Sequence, residues 1–281
     1  FASGMAAISS TLFAFLKPGD RLAVIEHVYP DAYRLMERLL RPFGIDVTYH
    51  SPVALAEEPD LLKSVRLCYL ESPNTMVMQT THLARVAEHA RRHGTLTVID
   101  NSWATPIFQN PLALGIDIVL HSASKYIGGH SDTVAGVVVG SAEHIGAIRD
   151  IALPLFGGKL APFEAFLLMR GLRTLPARMR EHQRTAGIFV DRLAARPEVA
   201  AVNSPGANSV AGLAGRSGLM SVAFTDAVDI HRFADALKIF RLGVSWGGFE
   251  SLAVPAAITL DQAGEHNPGR FFGVSPRLVR F

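Results

Sequence analysis

Cysteine is almost absent: Cys68 is the only one in 281 residues. That excludes an intrachain disulfide and a cysteine-built zinc site, and it favours a reducing compartment. Lysine is scarce too. Arginine supplies 22 of the 27 basic residues, and the lysines are Lys17, Lys63, Lys125, Lys159 and Lys238. No excess of either charge exists, since the net charge is +2, and no basic stripe marks a nucleic-acid surface. No apolar run reaches the roughly 18–20 residues that a membrane-crossing helix needs. The opening residues lack the pattern of a secretory signal. Internal repeats and low-complexity tracts are also missing.

What is present is enough apolar material for a large core. Apolar residues make up 49% and charged residues 19%, which excludes disorder as the dominant state. A chain of this length buries a sizeable core without staples. It starts at Phe1 and runs directly into a helical pattern, so a fragment of a longer protein is expected.

Gly4–Leu16 has helical apolar spacing, with Ser3 as its N-cap. Strands are expected at Arg21–Ile25, Ile45–Tyr49, Val65–Leu70, Thr95–Ile99, Ile116–Leu120 and Ala135–Val139. Helices are expected at Ala32–Leu40 and at Ala84–His93, which Gly94 stops. The last three strands are apolar on both faces, as in a parallel sheet. The alternation predicts an α/β domain over residues 1–172. Helices at Phe163–Leu172 and Pro176–Leu193 follow, and a smaller α+β domain is expected over 173–281.

Lys125 stands out, in His121-Ser122-Ala123-Ser124-Lys125-Tyr126-Ile127-Gly128-Gly129-His130-Ser131-Asp132. A lysine leaving the carboxyl end of a core strand enters the crevice where α/β proteins bind ligands. Partly desolvated, it can lose its proton and condense with a carbonyl. An isolated Ser-x-Ser-Lys reads more readily as a polar surface turn. Asp100 ends another strand and is able to pair with a protonated pyridine nitrogen, or to serve as a helix N-cap or a metal-site acid. Ser3-Gly4-Met5 opens a helix whose free N–H groups suit a phosphate. Tyr29 follows a strand and is placed to lie flat on an aromatic ring, or simply to pack in its loop. His89 and His93 are expected on a solvated helix face, and the arginines at 170, 173, 178, 180 and 184 on a solvated or subunit-facing helix. Cys68 is expected as a buried hydrophobe.

Taken together, Ser3-Gly4-Met5, Tyr29, Glu71-Ser72-Pro73, Asp100-Asn101-Ser102-Trp103-Ala104, Ser122-Ala123-Ser124-Lys125-Tyr126 and Gly129-His130-Ser131-Asp132 resemble the Cys/Met-metabolism family of pyridoxal-phosphate (PLP) enzymes. The resemblance covers essentially the whole chain. It implies an α/β, aminotransferase-like fold of type I, with a mixed, mainly parallel sheet in the large domain. It also implies PLP as cofactor. Lys125 matches the lysine that holds the cofactor covalently, Asp100 the partner of the ring nitrogen, and Tyr29 the tyrosine over the ring. Gly4, Met5, Ser122 and Ser124 match phosphate ligands. Ser245 and Trp246, in Ser245-Trp246-Gly247-Gly248-Phe249-Glu250-Ser251-Leu252, match the substrate-lining segment, and Arg280 matches the arginine that binds the substrate carboxylate.

The tryptophan in that segment is similar to the bacterial cystathionine β-lyases. The expected activity is therefore cleavage of L-cystathionine to homocysteine, pyruvate and ammonia. The alternatives are γ-elimination, γ-replacement, or a non-catalytic relative. The resemblance further implies a cytoplasmic homotetramer, a dimer of dimers, acting on small sulfur amino acids and not on nucleic acid or membrane. It also implies an N-terminal arm that nothing in this sequence matches, and a longer stretch between Pro205 and Ser217.

Overall fold

The computed structural model describes residues 1–261 and 266–281. The first sheet holds β1 (Arg21–Ile25), β2 (Asp46–His50), β3 (Leu67–Glu71), β4 (Leu96–Asp100), β5 (Ile118–Ser122) and β6 (Gly136–Gly140). Their order is β2-β1-β3-β4-β5-β6. The first five strands pair in parallel. Their Leu, Val and Ile side chains are buried on both faces, as a covered parallel sheet requires. Each fully buried side chain such as Leu22 or Ile99 contributes about 1.5–3 kcal/mol of transfer free energy.

Helices cover the sheet. They are α1 (Gly4–Phe15), α2 (Pro30–Leu35), α3 (Pro52–Glu57), α4 (Leu83–His93), α5 (Thr105–Phe108) and α6 (Ala142–Phe156). Both α1 and α6 pack along β6, and α4 packs on β4. The Ser3 hydroxyl caps α1 by accepting from Ala6 N at 3.0 Å. Gly94 ends α4 in the left-handed region, φ 68°.

Three expectations need correction. The strand expected at Ala135–Val139 is β6, and it runs antiparallel to β5 instead of parallel. No helix carries the chain back between these two strands, so the return places the second one head to tail. The two helices expected around residues 172–176 are one helix, α7 (Pro162–Ala194), with Pro176 inside it. The proline forfeits one ladder bond. Buried Leu168, Leu175, Met179 and Ala186 hold the helix together on either side. Residues 172 and 173 both belong to α7. His89 is buried, not solvated, with Nδ1 3.4 Å from Leu55 O. It shares the inward stripe of α4 with Val86 and Ala90. None of the expected elements covers α6.

The second sheet comprises β7 (Val199–Asn203), β8 (Ser221–Phe224), β9 (Arg241–Leu242), β10 (Leu252–Pro255) and β11 (Leu278–Arg280), ordered β7-β8-β11-β10-β9. Strand β11 pairs antiparallel with both β8 and β10. This central position fixes where Arg280 stands.

Candidate active site

Strands β3, β4 and β5 end side by side with Glu71, Asp100 and Ser122. Lys125 follows one tight turn later, its N–H on Ser122 O at 3.0 Å. This is the carboxyl edge of a parallel sheet, where α/β folds open their binding crevice.

The Lys125 amine donates to Ser245 Oγ at 3.0 Å and sits 5.4 Å from the Trp246 ring centroid. Burial lowers its pKa, and the nearby Arg280 charge lowers it further, against the opposing pull of Asp100. Trp246 in turn packs on Tyr126, with ring centroids 5.4 Å apart. The segment carrying Ser245 and Trp246 comes this close because Gly247 has no side chain. A Cβ there would lie 2.8 Å from Tyr126 N, and its φ of 84° suits glycine.

Asp100 is buried. Its Oδ1 accepts from Ser102 N at 2.9 Å and from the Ser102 hydroxyl at 2.6 Å. Ser102 Oγ accepts in turn from Ser122 N at 2.6 Å, tying the ends of β4 and β5 together. Asp100 Oδ2 has no hydrogen-bond donor among the described residues. Glu71, its register partner on β3, accepts from Tyr29 N at 2.7 Å and from the Thr75 hydroxyl at 2.5 Å. Burial and the Asp100 charge push the Glu71 carboxyl up. Burial pushes the Asp100 carboxyl up as well, against the downward pull of its Ser102 hydrogen bonds and of the Lys125 charge.

The Tyr29 hydroxyl donates to Asp31 Oδ2 at 3.0 Å. Burial and the Asp31 charge push its pKa up to about 12. The side chain is 39% exposed, with Asp100 and Arg280 near enough to interact electrostatically. Arg280 donates through Nη2 to Val244 O at 2.7 Å and Ser245 O at 3.4 Å. Its Nε and Nη1 have no protein acceptor among the described residues. Burial lowers its pKa to about 10, still well above neutrality.

The start of α1 meets the end of β5 closely. A Cβ on Gly4 would lie 2.8 Å from Ser122 Oγ. The Ser122 hydroxyl makes no hydrogen bond among the described residues, and the first-turn amides of Gly4 and Met5 lack intrahelical acceptors. Together they form a cradle for an anion. The Ser124 hydroxyl differs. It donates to Ala135 O at 3.1 Å and accepts from Ala135 N at 2.9 Å. To donate to a phosphate it would have to leave the Ala135 carbonyl.

These residues fit pyridoxal phosphate. A desolvated amine is available for its carbonyl, a free carboxylate oxygen for its ring N–H, and an anion cradle for its phosphate. Gly4→Ala should crowd that cradle and weaken cofactor retention about tenfold without unfolding the chain. Absorbance after gel filtration, beside a circular dichroism spectrum, would measure both.

Such a site on this sheet defines a PLP-dependent enzyme of fold type I. The chain belongs to the Cys/Met metabolism PLP-dependent enzyme family, which it matches over residues 1–281. It is 35% identical over 289 residues to an L-methionine gamma-lyase of Pseudomonas putida, covering 99% of this chain and 73% of that protein. It is 35% identical over 271 residues to a cystathionine beta-lyase of Lactococcus lactis subsp. cremoris, covering 92% and 70%. A solved cystathionine gamma synthase from Xanthomonas oryzae pv. oryzae superposes with a TM-score of 0.90 at 34% identity, covering 99% of this chain and 74% of that one. The fold and the cofactor expected from the sequence are thereby established. The individual reaction is not, because these relatives carry out different ones.

Sequence reasoning missed several contributors. Ser102 and Glu71 sat inside quoted motifs without a role. Tyr126, whose hydroxyl bonds around Ser217, Gly218 and Leu219, was noted only as Lys125's neighbour. Arg178 was expected on a solvated or subunit-facing helix; it points into the fold, onto Tyr126 O at 2.6 Å. Trp103 lies in the core around Tyr126, its indole donating to Leu219 O at 3.1 Å.

Proposed function

We propose that this chain is a carbon–sulfur β-lyase that cleaves L-cystathionine, with water, to homocysteine, pyruvate and ammonia. The observation that carries the reading is the confinement of the Lys125 amine between Ser245 Oγ and the Trp246 indole. β-Elimination asks the base for a single proton, from the α-carbon. γ-Elimination asks for a second one, from the β-carbon, and so for a base free to swing along the substrate. An amine walled by an indole and bonded to a serine suits the single-proton task.

When bound, the cofactor supplies an electron sink for the pair left on the substrate's α-carbon. The remaining work falls to the chain. Asp100, held by Ser102, would pair with the ring nitrogen and favour its protonated form. Lys125, its pKa lowered by burial, takes the α-proton. Arg280 offers Nε and Nη1 to the substrate carboxylate, a planar fork suited to that pairing. Tyr29 covers the site from the β1 side. With its hydroxyl committed to Asp31, proton return to the departing thiolate falls to Lys125.

The reading includes a cytoplasmic homotetramer acting on a small sulfur amino acid. The row of exposed Leu153, Leu155, Phe156, Phe163, Phe166 and Met169 on α6 and α7 supports contact with further copies of the chain. Among the described residues, no helix is long and apolar enough to cross a membrane.

The test is product analysis on L-cystathionine. Pyruvate marks β-elimination, and 2-oxobutyrate as the main product would overturn the assignment. Arg280→Ala should lower kcat/KM about 10- to 100-fold, chiefly through KM, as charge-assisted bonds to the carboxylate are lost. Unchanged steady-state constants in that variant would remove Arg280 from the site.

A further inference from the structure

We propose that Arg178 is a positioning residue that sets the path of the backbone leaving Lys125. The inference rests on the reading of Lys125 as the cofactor-bearing lysine.

One guanidinium gathers carbonyls from two segments. Nη1 donates to Tyr126 O at 2.6 Å, and Nη2 to Ile127 O at 3.3 Å and Gly171 O at 2.7 Å. Nε donates to Thr174 Oγ1 at 3.0 Å, one helical turn back on α7. The side chain is thus fixed by its own helix and spends its fork on the two residues that follow Lys125.

The surroundings are cut to admit it. A Cβ on Gly129 would overlap the guanidinium, and a Cβ on Gly171 would overlap Ile127 O and Gly128 O. Helix and turn meet closely at these glycines, so the part-buried carbonyls at 126 and 127 face the arginine. Buried carbonyls of this kind need donors. No other donor to Tyr126 O or Ile127 O is found among the described residues.

The consequence for the site is geometric. Lys125 is held from its amino-terminal side by Ser122 O. From its carboxyl side Lys125 O accepts from Gly129 N at 2.8 Å, and the next anchor along the chain is the Tyr126 carbonyl held by Arg178. Tyr126 also carries the ring on which Trp246 packs. Releasing Tyr126 O would loosen both the amine and the wall beside it, and displacement by about 1 Å is enough to cost some 100-fold in rate. The substrate carboxylate is read by Arg280 on another sheet, so substrate affinity should be little affected.

The test uses the PLP-loaded full chain, wild type, Arg178→Lys and Arg178→Gln. Borohydride reduction and peptide mapping first locate the pyridoxyl group on the wild type. In both variants, kcat for thiol release from L-cystathionine should fall about 10- to 100-fold with KM within twofold. Amide exchange in the peptide spanning residues 125–131 should rise about tenfold while β3 and β4 stay protected. Lysine should not rescue, because one ammonium does not span the three carbonyls. Wild-type kcat in Arg178→Lys overturns the proposal. So does exchange that rises evenly along the chain, which would mark a merely structural arginine. A wild-type adduct on another lysine overturns the Lys125 reading and this inference with it. An adduct on Lys125 with both variants unaffected overturns this inference alone.

Discussion

Lys125→Ala should lower turnover of L-cystathionine by at least about four orders of magnitude, while the fold survives. On the proposed assignment, the alanine removes the amine that carries the cofactor and takes the substrate's proton. Lys17, Lys63, Lys159 and Lys238 lie on other segments. The side chain makes one hydrogen bond, to Ser245 Oγ, so its loss costs little stability. Thermal unfolding should therefore remain close to wild type. A pyruvate assay with the cofactor in excess, followed by an added primary amine, reads the two roles separately. Partial rescue by the amine would mark the lost base. Near-wild-type pyruvate release without it would dismiss Lys125 from the chemistry.

Asp100→Asn is the second large effect. The substitution keeps the size of the side chain and is able to keep the Ser102 contacts, but it removes the charge proposed to hold a proton on the ring nitrogen. Loss of one preorganised electrostatic partner typically costs about 100- to 1,000-fold in kcat. KM should change far less, since Arg280 and not Asp100 faces the carboxylate. The variant also relieves the neighbouring carboxyl. Glu71 no longer borders a negative charge, so its raised pKa should move back toward the ordinary carboxylate range. A carbonyl-edited infrared titration would detect that shift. A wild-type kcat in Asp100→Asn would end its assignment as the ring-nitrogen partner.

Much of this was readable from residues alone, for a physical reason. Strands such as Leu96–Asp100 and Ile118–Ser122 are apolar on both faces and end in a polar residue, which marks both the sheet and its working edge. Lys125 was legible because lysine is rare here and because it follows such a strand. Resemblance supplied what pattern could not, namely that Ser245, Trp246 and Arg280 approach Lys125 from distant segments. What stayed hidden depended on tertiary context. Pro176 reads as a helix stop until Leu175 and Met179 are known to be buried on either side of it. The direction of β6 depends on how a glycine-rich turn returns. Arg178 looks like any surface arginine until Gly129 and Gly171 are seen to make room for it.

The location of Arg280 bears on how the enzyme matures. The cofactor-binding elements lie in the first sheet and its helices, whereas Arg280 stands on β11, which is closed in between β8 and β10. During synthesis the carbonyl-capturing half emerges first, and domains generally fold in that order. The residues proposed to hold the cofactor and the residue proposed to read the substrate carboxylate thus enter the fold at different stages.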